Sequence, residues 1–166
     1  MKSNQRLLVF IGAIILFILL LLLLNSNSRK KIGSSIPVPD AWEEQLLILT
    51  NNERTKMGLV PLTLDPKLTE IARLHSADMS EQNYFSHNNL EGETPKQRAT
   101  KAGYTATVIA QNISSGYSAP ELVLQSWMNS PGHRGLILGK YTRIGVGGVI
   151  KADCKGTPVW TEMYSD

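Results

Sequence analysis

The chain has 166 residues, with 17 Lys and Arg, 14 Asp and Glu, and a single cysteine. That length fits about one domain, and one cysteine excludes an intramolecular disulfide and a multi-cysteine zinc site. Lys2, Arg6, Arg29, Lys30 and Lys31 all lie before residue 36, so residues 36–166 carry 12 basic against 14 acidic side chains, formally −2, and lack the basic balance of a nucleic-acid-binding domain.

In chain order, residues 7–24 read LLVFIGAIILFILLLLLL, eighteen positions without a charged or polar side chain. At a rise of about 1.5 Å per residue such a run nearly spans a bilayer core, so the predicted element is a transmembrane helix within an N-terminal membrane anchor, residues 1–24. A cleaved signal peptide has a shorter apolar region closed by a small-residue cleavage site. Here Asn25, Ser26, Asn27 and Ser28 follow instead, which favours an uncleaved signal anchor; cleavage would make the domain a secreted one. The flanking charges nearly tie, so the positive-inside rule does not choose a side. Residues 25–39, rich in Ser, Asn, Lys and Pro, read as a linker, and residues 40–166 as the globular domain.

Asp40 and Glu43 have capping-box spacing, and Trp42, Leu46 and Leu49 recur at helical intervals up to Gly58, so residues 41–57 are expected to be helix. Asp65-Pro66 opens a second helix, with Leu68, Ile71, Ala72, His75 and Met79 on one stripe. Thr94-Pro95 with Gln97 opens a short third helix that Gly103 ends. Ser118 and Glu121 start a fourth, carrying Val123, Leu124, Trp127 and Met128 until Pro131 breaks it. Strands are expected at Tyr104–Ile109, at Arg143–Ile150, where Ile144, Val146 and Ile150 alternate around glycines, and at Pro158–Tyr164 after a turn at Asp153–Gly156. Helices followed by an antiparallel hairpin give an α+β class with helices on a small sheet.

Three histidines are the candidates for near-neutral acid–base chemistry or metal ligation. His75 lies on a buried stripe and reads as a hydrogen-bonded core residue, whereas His87, in NYFSH, and His133, beyond Pro131-Gly132, stand at element ends where binding groups tend to sit. Cys154 reads as a buried or turn-flanking thiol. No HExxH, GxSxG, Walker or glycine-rich dinucleotide motif is present, so the motifs name no enzyme class.

The segments LTNNERTKMGLVPLTLDPKLTEIARLHSADM, NYFSH, GETPKQRATKAGY, AQNISSGY, WMNSPGHRGLIL, IGVGG and VWTEMY together resemble, in order, the bacterial branch of the CAP superfamily, the SCP-like or cysteine-rich secretory, antigen 5 and pathogenesis-related 1 proteins. The resemblance covers residues 43 to 164. It implies a CAP-type α-β-α sandwich, with a small, mainly antiparallel sheet between helical layers, placed outside the cytoplasm. It also implies a cleft in which two histidines and two glutamates can hold zinc or another divalent cation such as calcium.

By motif, His87 and His133 are the cleft histidines. The acids depart from the family pattern, because Gln111-Asn112 stands where many members have Glu-Asn, and Ser130 aligns with the second glutamate. Glu91 or Glu93 is a candidate replacement ligand. Arg134 is expected to pair with a carboxylate or to cap helix carbonyls, and Asn112 to hydrogen-bond across the cleft. The resulting expectation is a membrane-tethered, extracytoplasmic, non-catalytic module that binds a lipid, a cell-wall fragment such as peptidoglycan, or a peptide, in a degenerate histidine-based cation cleft. The alternative is a metal-assisted hydrolase using His87 and His133.

Overall fold

The computed structural model describes residues 35–151 and 156–166. Their elements run β1 (Ile36–Pro37), α1 (Asp40–Lys56), β2 (Thr63–Leu64), α2 (Pro66–Glu81), α3 (Pro95–Lys101), β3 (Ile109–Ser115), α4 (Pro120–Asn129), α5 (Pro131–Ile137), β4 (Arg143–Ile150) and β5 (Pro158–Ser165). The predicted anchor, linker residues 25–34 and Cys154 with most of its turn lie outside the described residues. Among the described residues no helix is long and apolar enough to cross a membrane.

The sheet follows from the alternating strands. β4 and β5 pair antiparallel from Arg143 opposite Ser165 to Ile150 opposite Pro158, and β3 pairs antiparallel with the far side of β5. The order is β1-β4-β5-β3, so β3 is an edge. β1 and β2 share the other edge: β1 lies antiparallel to Val149 and Ile150, and β2 parallel to Arg143 and Ile144. The end of the expected linker is therefore part of the fold, with Val38 buried beside β1.

Period-2 alternation sends side chains to two faces. Trp160 and Tyr164 face a core built with Leu46 of α1, Val123 and Trp127 of α4 and Ile137 of α5. Met163 and Val159 face the other side, where α2 supplies Leu68, Ile71, Ala72 and Met79 and α3 supplies Ala99. Burying each large apolar side chain contributes roughly 1.5 to 3 kcal/mol, and the sheet's two apolar faces dictate the α-β-α sandwich. Gly145 and Gly147 let α2 come close: a Cβ there would lie 2.2 Å from the main chain of Leu68 or Arg73.

Four expectations need correction. Asp40 is not an N-cap; Pro39 is, and no side chain caps α1, because Asp40 and Glu43 are drawn to Arg73 of α2 and Glu43 Oε1 also accepts from the Gly148 main-chain N–H at 2.9 Å. The strand expected at Tyr104–Ile109 runs from Ile109 to Ser115 instead. Its partner stops at Ser165, and the main-chain N–H groups of Thr107 and Val108 both donate to the Asp166 carboxylate at 3.1 Å, so no ladder forms there.

The helix expected to open at Ser118 starts at Pro120 with Ala119 as its cap residue. Proline fits the first helical position because its missing N–H is unpaired there anyway. The same rule reverses the reading of Pro131. It ends α4 by forcing Ser130 into an extended conformation (φ −99°, ψ 119°), and then opens α5, which places His133 inside a short helix. Where sequence signals were matched by capping, they held: Asp65 accepts from the N–H groups of Lys67 and Leu68, and Thr94 and Gln97 form a full capping box.

Candidate functional site

Gln111 and Asn112 are neighbours on the edge strand β3, so their side chains leave opposite faces of the sheet. Gln111 lies opposite Met163, on the α2 and α3 side, and Asn112 lies opposite Glu162, on the α1, α4 and α5 side. Because β3 is an edge, the layers on both faces can reach around it. His87 comes from one layer and His133 from the other.

His87 sits in the segment between α2 and α3, exposed, and its Nδ1 is 3.0 Å from Gln111 Oε1. With the amide oxygen facing it, Nδ1 is the donor, and Nε2 is the ring nitrogen not engaged by Gln111. The segment is braced on both sides of His87. His75 is buried and its Nε2 donates to the Ser86 carbonyl at 3.0 Å, while Asn89 and Glu93 exchange hydrogen bonds at 2.7 and 2.8 Å. Burial, more than the nearby Arg98 charge, pushes His75 down to about 4, so it is neutral. This is the hydrogen-bonded core histidine that its stripe position suggested.

His133 occupies the first turn of α5. The Asn112 side-chain N–H₂ donates to its carbonyl at 3.1 Å and to the Tyr164 hydroxyl at 3.1 Å. Partial burial, and then the charge of His87, lower the pKa of His133, so the His87 imidazole is close enough to disfavour protonation of His133. Arg134 is exposed and its Nη1 donates to the Met128 carbonyl at 3.2 Å, across the α4–α5 break. Ser130 is the cap residue of α5, with no side-chain cap bond.

The acid candidates lie elsewhere. Glu93 accepts from Lys101 Nζ at 2.7 Å and from Asn89, and these bonds hold its carboxyl below the usual range. Among the described residues no three His, Cys, Asp or Glu side chains are grouped to hold a metal. The two imidazoles thus have one neutral amide beside them, already hydrogen-bonded to His87, and two strong donors are fewer than the three or four protein ligands typical of zinc. This donor set does not fit the cation site that the resemblance implies.

The residues that motif reading missed lie directly behind Asn112. Glu162 is fully buried, accepts from Thr50 Oγ1 at 2.8 Å and from the Tyr164 hydroxyl, and burial raises its carboxyl from the ordinary 4.5 to about 7. The signal was available in VWTEMY: Glu162 stands two residues from Trp160 and two from Tyr164, which places an acid on the buried aromatic face of a period-2 strand. Arg54, also buried, was missed as well. Its guanidinium donates to the carbonyls of Val60, Ile137 and Gly139 at 3.0, 2.7 and 2.8 Å, which fixes the C-terminal end of α5.

With this geometry in place, the comparisons are specific. A family model described as CAP, the cysteine-rich secretory protein family, matches residues 47–164. The uncharacterized protein YkwD of Bacillus subtilis (strain 168) is 38% identical over 125 residues, which are 75% of this chain and 47% of that protein. The uncharacterized membrane protein YlbC of the same organism is 39% identical over 106 residues, 63% of this chain and 31% of that protein. The chain therefore spans less than half the length of either relative.

Among solved structures, an outer surface protein from Borrelia burgdorferi superposes with a TM-score of 0.72 at 20% identity, covering 80% of this chain and 98% of that one. An extracellular protein containing an SCP domain from Bacillus anthracis str. Ames gives a TM-score of 0.66 at 29% identity, covering 77% of this chain and 43% of that one.

Proposed function

The chain belongs to the CAP, or cysteine-rich secretory protein, family, and we propose that its domain is a non-catalytic ligand-binding module tethered to the membrane by residues 7–24 and held outside the cytoplasm. The ligand is a lipid, a peptidoglycan fragment or a peptide, received between His87 and His133 at the β3 edge. The observation that carries this reading is the His87–Gln111 hydrogen bond. It orients the imidazole with a neutral amide, which offers neither the anionic charge nor the general base of a carboxylate. A metal-assisted hydrolase would need an acid beside these imidazoles, and the Glu93 carboxylate is committed to Lys101 and Asn89. Any divalent cation held by His87 and His133 is accordingly bound weakly. For location, support comes from the eighteen-residue apolar run, from a relative named a membrane protein and from the similar structure of an extracellular protein.

The test is retention of the full chain, in detergent micelles, by immobilised peptidoglycan and by immobilised short-chain lipid, neither of which the anchor can insert into. Retention by one of them that falls at least about tenfold in the H87A/H133A double variant, a loss of about 1.4 kcal/mol, is expected. Equal retention of both proteins would remove the histidine cleft from the account. Protease added to intact cells should digest the domain, and protection of the domain would overturn the assigned side of the membrane.

A further inference from the structure

Among the described residues no cation is bonded to Glu162, yet it is held in the core by a continuous hydrogen-bonded path that ends on α5. Thr50 Oγ1 donates to one carboxyl oxygen and the Tyr164 hydroxyl to the other. The Tyr164 oxygen accepts from Asn112 Nδ2, and the same Nδ2 donates to the His133 carbonyl, both at 3.1 Å. Every side chain on this path is fully buried. We propose that Glu162, Tyr164 and Asn112 form a proton-sensitive relay that sets how α5 presents His133 to the cleft.

The direction of the bonds gives the relay its two states. With Glu162 ionised, it can only accept, so the single Tyr164 proton points to it and the Tyr164 oxygen is left to accept from Asn112. The amide nitrogen is thereby turned toward the His133 carbonyl. When Glu162 takes a proton, its O–H donates to the Tyr164 oxygen and the Tyr164 proton turns to Asn112. The acceptor there is Asn112 Oδ1, a buried atom with no hydrogen-bond partner among the described residues. A half-turn of the amide satisfies it and withdraws the N–H from the His133 carbonyl, which frees the first turn of α5. One proton enters at Glu162 and none is lost along the path.

The groups facing the path do not supply another switch. From α1, Arg54 interacts electrostatically with Tyr164, and it is committed to the carbonyls that fix the far end of α5. Tyr141, before β4, stacks on Tyr164 with ring centroids 5.4 Å apart. From α5 itself the titratable group is His133, whose imidazole is separate from the main-chain carbonyl that the relay reaches. Glu162, Tyr164 and Asn112 are positioning residues: they act on the cleft through α5.

The inference rests on the reading that His133 lines the ligand cleft, but its readout needs no ligand, so the two can fail separately. The experiment is NMR of the isotopically labelled full chain in detergent micelles, in an H133A background that removes the imidazole and keeps the main-chain carbonyl at position 133. That carbonyl and the Asn112 side-chain amide should shift together, with one midpoint near the pH at which the Glu162 carboxyl carbon titrates. Adding E162Q should abolish both shifts. Adding Y164F, which keeps the acid and breaks the path, should leave the Glu162 titration in place and reduce the carbonyl shift severalfold. A carbonyl that does not titrate, or one that titrates equally with Y164F, overturns the relay, and the Y164F arm decides the matter even if E162Q does not fold.

Discussion

The Asn112 side-chain N–H₂ donates to the His133 main-chain carbonyl at 3.1 Å and so ties the edge of the sheet to α5. The bond lies in the protein interior, where losing it leaves buried polar atoms unpaired. N112A is expected to lower stability by about 1 to 3 kcal/mol. N112D should cost more, because a carboxylate would face the His133 carbonyl and the Tyr164 oxygen with no donor to offer. Urea unfolding of the full chain in micelles measures both, and a neutral N112D would mean that the Asn112 amide does not hold α5.

The close approach of α2 to the sheet makes a second expectation. A Cβ at position 147 would lie 2.2 Å from the Arg73 main-chain nitrogen, and backbone within a packed helix cannot step aside as a side-chain tip can. G147A should cost about 1 to 3 kcal/mol by overpacking. Gly132, with nothing near its Cβ position, is the control: G132A should change stability by less than about 1 kcal/mol. Similar denaturation midpoints for the two variants would contradict the packing described for α2.

Arg54 holds the other end of α5. Its hydrogen bonds to carbonyls of Val60, Ile137 and Gly139 are charge-assisted, and such bonds contribute about 1.5 to 3 kcal/mol each. R54M keeps most of the volume and removes the donors, so it should lower stability by at least about 3 kcal/mol and raise amide exchange in α5 more than in α3. Uniform exchange across the two helices would show that Arg54 acts on the whole fold and does not specifically anchor α5.

Glu162 also makes a prediction for stability against pH. Its carboxyl is raised from 4.5 to about 7 by burial, so between these values the folded state keeps a proton that the unfolded state releases. Stability from this group is therefore full below 4.5, falls as pH rises to about 7 and levels off above it, a loss of about 3 kcal/mol. His75 has the opposite slope, because its lowered value of about 4 makes stability rise with pH up to its ordinary 6.5. E162Q should remove the fall and gain on the native chain as pH is raised from 5 to 8. Parallel profiles for the two proteins would contradict a neutral, buried Glu162.

Elements with a local chemical signature could be read from the sequence. Asp65-Pro66 and Thr94-Pro95 announce helix starts, and the glycine-spaced Arg143–Ile150 announces a strand, because caps and alternation are properties of neighbouring residues. The strand expected at Tyr104–Ile109 failed for a tertiary reason, the capture of the Thr107 and Val108 N–H groups by Asp166. Pro131 is both a stop and a start, since proline fits both roles and which one it takes depends on where the chain turns next. In the site, the positions of His87 and His133 were set by motif. Their wiring was not, because Gln111 and Asn112 reach them from opposite faces of one strand, and Thr50, Tyr164 and Glu162 converge only through the packing of α1 on the sheet.

The central claim is that His87 and His133 face a neutral cleft, and calorimetric titration of the full chain with zinc tests it most directly. Two imidazoles with no anionic ligand beside them should bind zinc weakly, and Q111E, which puts a carboxylate behind the His87 imidazole, should tighten binding by about tenfold or more. Micromolar or tighter binding by the native chain that vanishes in H87A/H133A, with no gain in Q111E, would contradict the account and return the cleft to metal chemistry.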